Sequence, residues 1–302
     1  MAGLAIAPFI EVFRWSLQPI APFTWFGFPI STLDVVATVR LCVVLRQVRE
    51  LMQTAHAAKN GSSKEIEDPS FVKRLATTLL VVYGGEAITG PMLGMPPSFM
   101  VSGIVPVLYG TVQAIVDSLP SVPAPSAQLE LPLSILDGLT RAYLLCNLIP
   151  PAVTTNSSPL LASSPWTLLV TSLITANAGF FLVNLFSFLN PTPLQIQTPP
   201  ELLPYGWTTT DLWCAPAGTA VYALLTHAQP FWADLRGLIY ELLLGAATQE
   251  KPVEPVDPET ARAIVAVLLS ALFAGKTAKN FGLLPQPAVK AAKKVKAKAK
   301  TQ

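Results

Sequence analysis

The chain has 302 residues, of which 51% are hydrophobic and 13% are charged, and its mean hydropathy is +0.49. A soluble domain carries about a quarter charged residues, so this chain has too little charge to cover a water-soluble fold and is predicted to be an all-α, polytopic membrane protein. The three cysteines lack metal or disulfide spacing and the two histidines lie far apart, which argues against a disulfide framework, a metal site or a His-based catalytic site.

The N-terminal residues 1–29 are expected to form a non-cytosolic segment. The first twelve residues are apolar but lack a basic region and contain Pro8 and Glu11, so they do not fit a signal peptide. An internal span is expected to direct membrane insertion.

Seven mainly apolar segments follow, separated by clusters of proline. A membrane helix needs about 20 apolar residues, and proline clusters are typical of loops because proline removes a helical hydrogen bond. The expected spans are residues 30–48, 75–94, 99–119, 131–149, 166–189, 210–228 and 261–281. A further apolar stretch, residues 235–247, is too short to span and is interpreted as interfacial or packed against the bundle. Residues 30–281 are thus predicted to form one transmembrane domain.

Lysine and arginine concentrate in the connection between spans one and two and in the C-terminal tail, residues 282–302. Seven spans place both regions on the same side, which the positive-inside rule assigns to the cytosol. The tail is predicted to be disordered, and its charge favours contact with anionic lipid. No aromatic or groove-reading residues accompany it, so nucleic acid is not an expected partner.

Glu86 is the sharpest candidate for a functional residue. It lies near the middle of span two beside Gly84 and Gly85, and Pro91 follows. Ionisable residues at membrane depth usually face a bundle interior or water, and glycine and proline predict a kink that frees carbonyls toward a water path. The alternative is that Gly84, Gly90 and Gly94 allow close helix packing and Glu86 is protonated or hydrogen-bonded.

Spans four, five and seven carry further candidates. Asp137 and Arg141 lie one helical turn apart and form either an internal ion pair or a gate or anionic-lipid site. Asn177, with Gly179 nearby, serves either interhelical hydrogen bonding or pore lining. Lys276 either extends to the interface or acts deeper in the bundle. No enzyme motif is present, so neither catalysis nor a cofactor is expected.

Taken in order, short motifs resemble those of the trimeric intracellular cation (TRIC) channels. Residues 83–97, YGGEAITGPMLGMPP, are similar to the family's aromatic-Gly-Gly to Gly-x-Pro-Pro stretch of the second span. Further similar positions are Asp117, Leu131-Pro132, Arg141, Trp166, Gly179 and Lys276. The family's K-E-V-x-R motif reads D-G-L-T-R here, so Arg141 alone matches, and Ala176 stands where the family has lysine.

The resemblance implies a homotrimeric potassium channel of the endoplasmic reticulum or nuclear envelope, with a pore in each protomer between kinked second and fifth spans. Two three-helix repeats plus one helix are the implied arrangement. Glu86 and Asp137 would raise the local concentration of monovalent cations. Two other classes remain open: a non-conducting scaffold or lipid-binding protein of the same fold, and a coupled small-solute transporter with broken helices in matching halves.

Overall fold

The computed structural model describes residues 2–20, 30–60, 69–203, 209–244 and 253–284. These ranges contain helices and loops but no strands, which confirms the all-α prediction. The helices are α1 (Ala2–Ser16), α2 (Thr32–Asn60), α3 (Phe71–Met92), α4 (Ser98–Val101), α5 (Ile104–Ser118), α6 (Ala127–Tyr143), α7 (Ile149–Thr154), α8 (Pro159–Ser163), α9 (Pro165–Leu185), α10 (Thr210–Thr226), α11 (Pro230–Leu244) and α12 (Pro258–Asn280). Each of the seven expected spans coincides with helix. Most of the C-terminal tail lies outside the described residues.

Serine residues cap the starts of four of the long helices. Ser31 and Asp34 form a capping box at the start of α2: the Ser31 hydroxyl accepts from the Asp34 N–H at 3.2 Å, and the Asp34 carboxylate accepts from the Ser31 N–H at 2.9 Å. Ser70, Ser126 and Ser164 cap α3, α6 and α9 with their hydroxyls, each of which accepts a backbone N–H. The start of each of these helices is therefore determined by residues next to it in the sequence.

Helices α6 and α7 are joined without a break through a π-helical turn, Leu144–Leu148. Thr219 of α10 donates to the Leu145 carbonyl within this turn, at 3.4 Å. A π turn widens the hydrogen-bond ladder and leaves carbonyls available to other donors. Residues 127–154 therefore form one long helix that is locally opened where α10 contacts it.

The helices associate as two groups of three. Helices α2, α3 and α5 contact one another, and so do α9, α10 and the continuous α6–α7 helix. The groups meet where α3 crosses α9, and α12 packs along both α6 and α10. Helix α12 thus lies outside both groups of three.

Helix ends meet as successive antiparallel passes require. Arg74 near the start of α3 bonds Asp117 near the end of α5, with Nε to Oδ2 at 2.7 Å. At the opposite end of α3, the Leu93 carbonyl accepts from Asn156, which follows α7, at 2.8 Å. Helices α3 and α5 are thus antiparallel, and α3 and α7 end on the same side of the bundle.

Two described helices are long and apolar enough to cross a membrane, Pro165–Leu185 and Pro258–Asn280. Buried helices of soluble proteins meet the same criteria, so the finding is compatible with a membrane protein without establishing seven spans. The other five expected spans fall short for two reasons. Helices α5, α6 and α10 have only 15, 17 and 17 residues, whereas α2 and α3 are long enough but are interrupted by charged residues and, in α3, by glycine and proline.

Helix α11 covers the short apolar stretch noted in the sequence. Its first half is attached to the bundle, because Trp232 is buried and Arg236 donates to the Leu225 carbonyl of α10. Its second half exposes Leu238 and Leu242. The first half of the helix is therefore packed against the bundle and the second half is exposed, and an interfacial position remains a prediction. Residues 245–247 lie outside the described ranges.

Candidate functional site

The glycines of spans two and five lie where α3 and α9 cross. A Cβ on Gly85 would be 2.2 Å from the Thr175 carbonyl oxygen, and one on Gly179 would be 2.1 Å from the Val81 carbonyl oxygen. Gly84 faces the Cα of Gly179. The two backbones are in direct contact here, as the close-packing alternative predicts for Gly84, whereas a Cβ on Gly94 would have nothing within 4 Å.

The carboxylate of Glu86 binds the start of α4. Its Oε1 accepts from the Ser98 N–H at 2.6 Å and its Oε2 accepts from the Ser98 hydroxyl at 2.7 Å. A carboxylate at a helix N-terminus satisfies N–H groups that have no intrahelical partner. Glu86 therefore has a structural role that joins α3 to the following turn, and its expected role in a pore remains a prediction.

Asp137 is paired with Arg40 of α2 in a charge cluster that also contains Glu130. The guanidinium of Arg40 contacts both Asp137 oxygens, at 3.1 Å and 3.0 Å, and Oε2 of Glu130 at 2.7 Å. Bidentate arginine–carboxylate contacts of this kind are short and directional. Sequence reasoning treats Arg40 only as an interruption of span one, because its partner is 97 residues away.

Arg141 has a different environment from that expected. Its Nη1 donates to the Ala176 carbonyl of α9 at 2.6 Å. No ion pair joins it to Asp137 within the described residues, so the internal-pair interpretation is wrong. The reason is that Arg40 approaches Asp137 from the facing helix with better geometry, while Arg141 is long enough to reach the next helix.

Lys276 and Asn177 both connect to α10. Lys276 of α12 forms an ion pair with Asp211 in the first turn of α10. Asn177 donates to the Leu173 carbonyl of its own helix at 2.8 Å and to the Leu212 carbonyl of α10 at 3.4 Å. Asn177 thus joins two helices, as the interhelical alternative predicts, and Lys276 is held within the bundle by a carboxylate.

Helices α6 and α12 are in close contact beside these charges. A Cβ on Gly138 would lie 2.3 Å from the Ser270 hydroxyl and 2.6 Å from the Ser270 backbone nitrogen. One turn away, the hydroxyls of Ser134 and Thr277 are 2.9 Å apart. The close packing of these two helices therefore fixes the positions of Asp137 on α6 and Lys276 on α12.

The candidate site consists of six ionisable residues on α2, α6, α10 and α12, some largely buried and some partly exposed. Three cations accompany three carboxylates: Arg40, Arg141, Lys276, Glu130, Asp137 and Asp211. The formal charges cancel but are unevenly distributed, because Arg40 is shared by two carboxylates while Arg141 has only carbonyl contact among the described residues. Charge pairing of this kind lowers the cost of placing such residues at membrane depth.

A second charge cluster lies where α2, α3 and α5 meet at the other end of the first group. Asp117 accepts from Arg74 and lies 3.9 Å from Arg49, and Arg46 pairs with Glu50 at 2.8 Å. Asp117 is thus part of an ion-pair cluster that joins α2, α3 and α5. The basic connection beyond α2 falls partly on residues 61–68, outside the described ranges.

No protein-family model, curated protein or solved structure matches this chain.

Proposed function

We propose that this protein is a polytopic membrane protein that conducts monovalent cations, potassium foremost, passively through a path beside Asp137 and Asp211. The seven helices of the two groups and α12 would be its spans, with the basic ends in the cytosol. A homotrimer in an internal membrane of the endoplasmic reticulum or nuclear envelope belongs to the same proposal, which rests on the resemblance of motifs to TRIC channels.

One observation supports cations over anions: in two of the three ion pairs of the candidate site, the carboxylate is the more exposed partner, whereas in the third, Arg40–Glu130, the two side chains are about equally buried. Asp137 has 37% of its side chain exposed against 14% for Arg40, and Asp211 has 47% exposed against 24% for Lys276. An ion approaching either pair meets the carboxylate first. A narrow path lined in this way concentrates cations and repels anions.

Potassium flux from liposomes containing purified protein tests the proposal. Asp137→Asn and Asp211→Asn remove the exposed negative charges, so each is expected to lower potassium flux and the preference for potassium over chloride. Glu11→Gln is the matched control, because Glu11 is an exposed carboxylate on α1 that pairs only with Arg14 among the described residues. Absence of flux from correctly folded protein, or equal flux in all three variants, contradicts the proposal.

A second candidate is a non-conducting membrane scaffold of the same fold. It is favoured by the direct backbone contact between α3 and α9, since Gly85 and Gly179 leave no room for an ion between the helices at that crossing. A folded, oligomeric protein that passes neither potassium nor chloride would support this function.

A further inference from the structure

Helix α1 packs on the first turns of α12, at the end of the bundle opposite Lys276. Phe13 of α1 is fully buried, and its ring lies 4.5 Å from the guanidinium carbon of Arg262. Arginine over an aromatic face is an attractive arrangement, and it strengthens when water is excluded. The contact therefore depends on α1 staying in place.

Arg262 is a buried cation with few partners. It is 6% exposed, and its Nη1 donates to the Asn147 side chain at 3.0 Å, in the π-helical turn. Its Nε is buried without a hydrogen-bond partner, and none of the ion pairs among the described residues includes it. Burying a charge without a carboxylate is costly because the water that solvated it is lost. The docked position of α1 therefore imposes an electrostatic penalty.

A second contact holds α1 from the surface. Arg14 donates to Oε2 of Glu259 from Nε at 3.0 Å and from Nη2 at 2.8 Å, and the two side chains are 56% and 43% exposed. Ion pairs this exposed are weakened by salt. The hydrogen bonds and charge of Glu259 raise the pKa of Arg14, which stays protonated at all ordinary pH values.

The first turn of α12 that carries Glu259 is itself capped. Asp257 accepts from the backbone N–H groups of Glu259 and Thr260 at 3.0 Å and 3.1 Å. A side-chain hydrogen bond with Thr260, followed by these backbone bonds, lowers the pKa of Asp257. Because the folded pKa is lowered, the cap is intact at neutral pH and is lost as the pH falls through that value.

We infer that α1 is a salt-sensitive latch that closes over Arg262. In the closed state, Phe13 seals the guanidinium and the Arg14–Glu259 pair fastens the helix. In the open state, Arg262 regains water and presents a positive charge at this end of the bundle. The closed state gains the Phe13 contact and the ion pair but loses the solvation of Arg262. The free-energy difference between the two states is therefore reduced by the cost of burying this one charge. The inference does not depend on cation conduction.

Thiol labelling of a Ser16→Cys variant measures opening directly. Ser16 is buried on α1, and cysteine is close to it in size. Pulsed maleimide labelling, read by peptide mass spectrometry, compares position 16 with Cys42, Cys146 and Cys214, which are all buried. These native thiols report global unfolding. We expect labelling at position 16 alone to rise several-fold when salt increases from about 0.05 M to about 1 M.

Three substitutions in the Ser16→Cys background distinguish a latch from a fixed structural helix. Arg14→Gln is expected to raise labelling at low salt to the high-salt rate and to abolish the salt effect. Glu11→Gln, which removes the other partner of Arg14, should change little. Arg262→Met removes the buried charge and keeps an unbranched apolar side chain, so the closed state gains stability and labelling slows.

Each result has a counterpart that would overturn the inference. Labelling at position 16 as fast as at an exposed thiol in every variant means that α1 is not docked. Labelling that is insensitive to both salt and Arg14→Gln means that α1 is permanently packed. Labelling that rises together at all four thiols means global unfolding, and faster labelling in Arg262→Met means that Arg262 only fastens the helix.

Discussion

Two helix crossings in this molecule are built in the same way but lie in different surroundings. At the α3–α9 crossing, Gly85 and Gly179 bring the backbones into contact and the hydroxyls of Thr89 and Thr175 are 2.9 Å apart. Within the described residues no ion pair joins α3 to α9. This crossing joins the two groups of three helices by packing and by this hydroxyl hydrogen bond.

The α6–α12 crossing has the same elements with charge added. Gly138 contacts Ser270, and the hydroxyls of Ser134 and Thr277 are again 2.9 Å apart. Asp137, beside this glycine, is paired with α2, and Lys276, beside this threonine, is paired with α10. Small residues therefore set the distance between helices in both places, while ionisable residues are confined to one. Packing and electrostatics are separable in this bundle, and substitutions can test each.

The largest effect is expected from adding a methyl group at the α3–α9 crossing. Gly85→Ala and Gly179→Ala each place a Cβ much closer to a carbonyl oxygen than van der Waals contact allows, at 2.2 Å and 2.1 Å. Backbone cannot move aside as a side chain does, so each substitution should cost about 4–5 kcal/mol or more, at the upper limit for single changes. Denaturant unfolding in detergent, followed by circular dichroism, measures the loss.

Gly275→Ala is the matched control for these glycine substitutions. Gly275 lies within α12, and a Cβ there has nothing within 4 Å, so alanine should be neutral or stabilise by about 1 kcal/mol through helix propensity. A Gly85→Ala protein as stable as wild type would mean that α3 and α9 are separated in the native state, which would reopen that crossing as a conduction path.

The helices themselves are predictable because their signals are local. Apolar run length and proline clusters predict all seven main helices, and serines such as Ser126 and Ser164 stand one residue before helix starts. Helices α1 and α11 are not predicted as helices, because each has 15 residues and interrupts its apolar pattern with charge. Length rules designed for membrane spans do not detect them.

Partners of the charged residues are less predictable. The spacing of Asp137 and Arg141 favours a local pair, yet the guanidinium that binds Asp137 comes from Arg40 of another helix. Glu86 has the depth expected of a functional carboxylate, but a turn that begins at Ser98 supplies its donors. Side-chain partners depend on how helices face one another, and spacing along a single helix does not contain that information.

The second-largest effect is expected at the charge cluster of α2 and α6. Arg40→Met leaves Glu130 and Asp137 without their shared cation. Breaking a buried pair by removing one partner costs about 3–5 kcal/mol, and we expect the lower limit because Asp137 is 37% exposed. Thermal or denaturant unfolding of the purified protein measures it.

A rescue variant makes the Arg40 result specific to charge. Glu130→Gln and Asp137→Asn added to Arg40→Met remove the two carboxylates left unpaired, so most of the lost stability should return. If the triple variant is no more stable than Arg40→Met, the arginine stabilises the bundle by packing of its aliphatic stem. The charges at the α6–α12 crossing would then not distinguish its stability from that of the α3–α9 crossing.

A smaller effect is expected from Glu86→Gln in α3. The amide oxygen still accepts one hydrogen bond from Ser98, whereas the charge is lost, so the cost should be about 1 kcal/mol. Potassium flux should match the wild type, while Asp137→Asn lowers it. Equal loss of flux in both variants would place Glu86 in the conduction path and remove the functional difference between the two crossings.

The smallest effect compares the two hydroxyl pairs directly. Thr89 donates to the Gly85 carbonyl and Ser134 donates to the Glu130 carbonyl. The interhelical donors are therefore Thr175 and Thr277. Valine at either position keeps the shape and removes one interhelical hydrogen bond, which in membrane proteins averages about 0.6 kcal/mol.

Equal costs for Thr175→Val and Thr277→Val, measured by unfolding under one condition, would show that the charges near α12 leave its hydrogen bonds unchanged. Low dielectric and neighbouring charge strengthen hydrogen bonds through polarisation. Lys276 precedes Thr277 directly, so a larger cost for Thr277→Val than for Thr175→Val would mean that the ion pair with Asp211 and the hydroxyl pair with Ser134 act together. Repeating both substitutions in the Asp211→Asn variant tests the role of the ion pair. If the ion pair causes the larger cost of Thr277→Val, the two costs become equal in that variant.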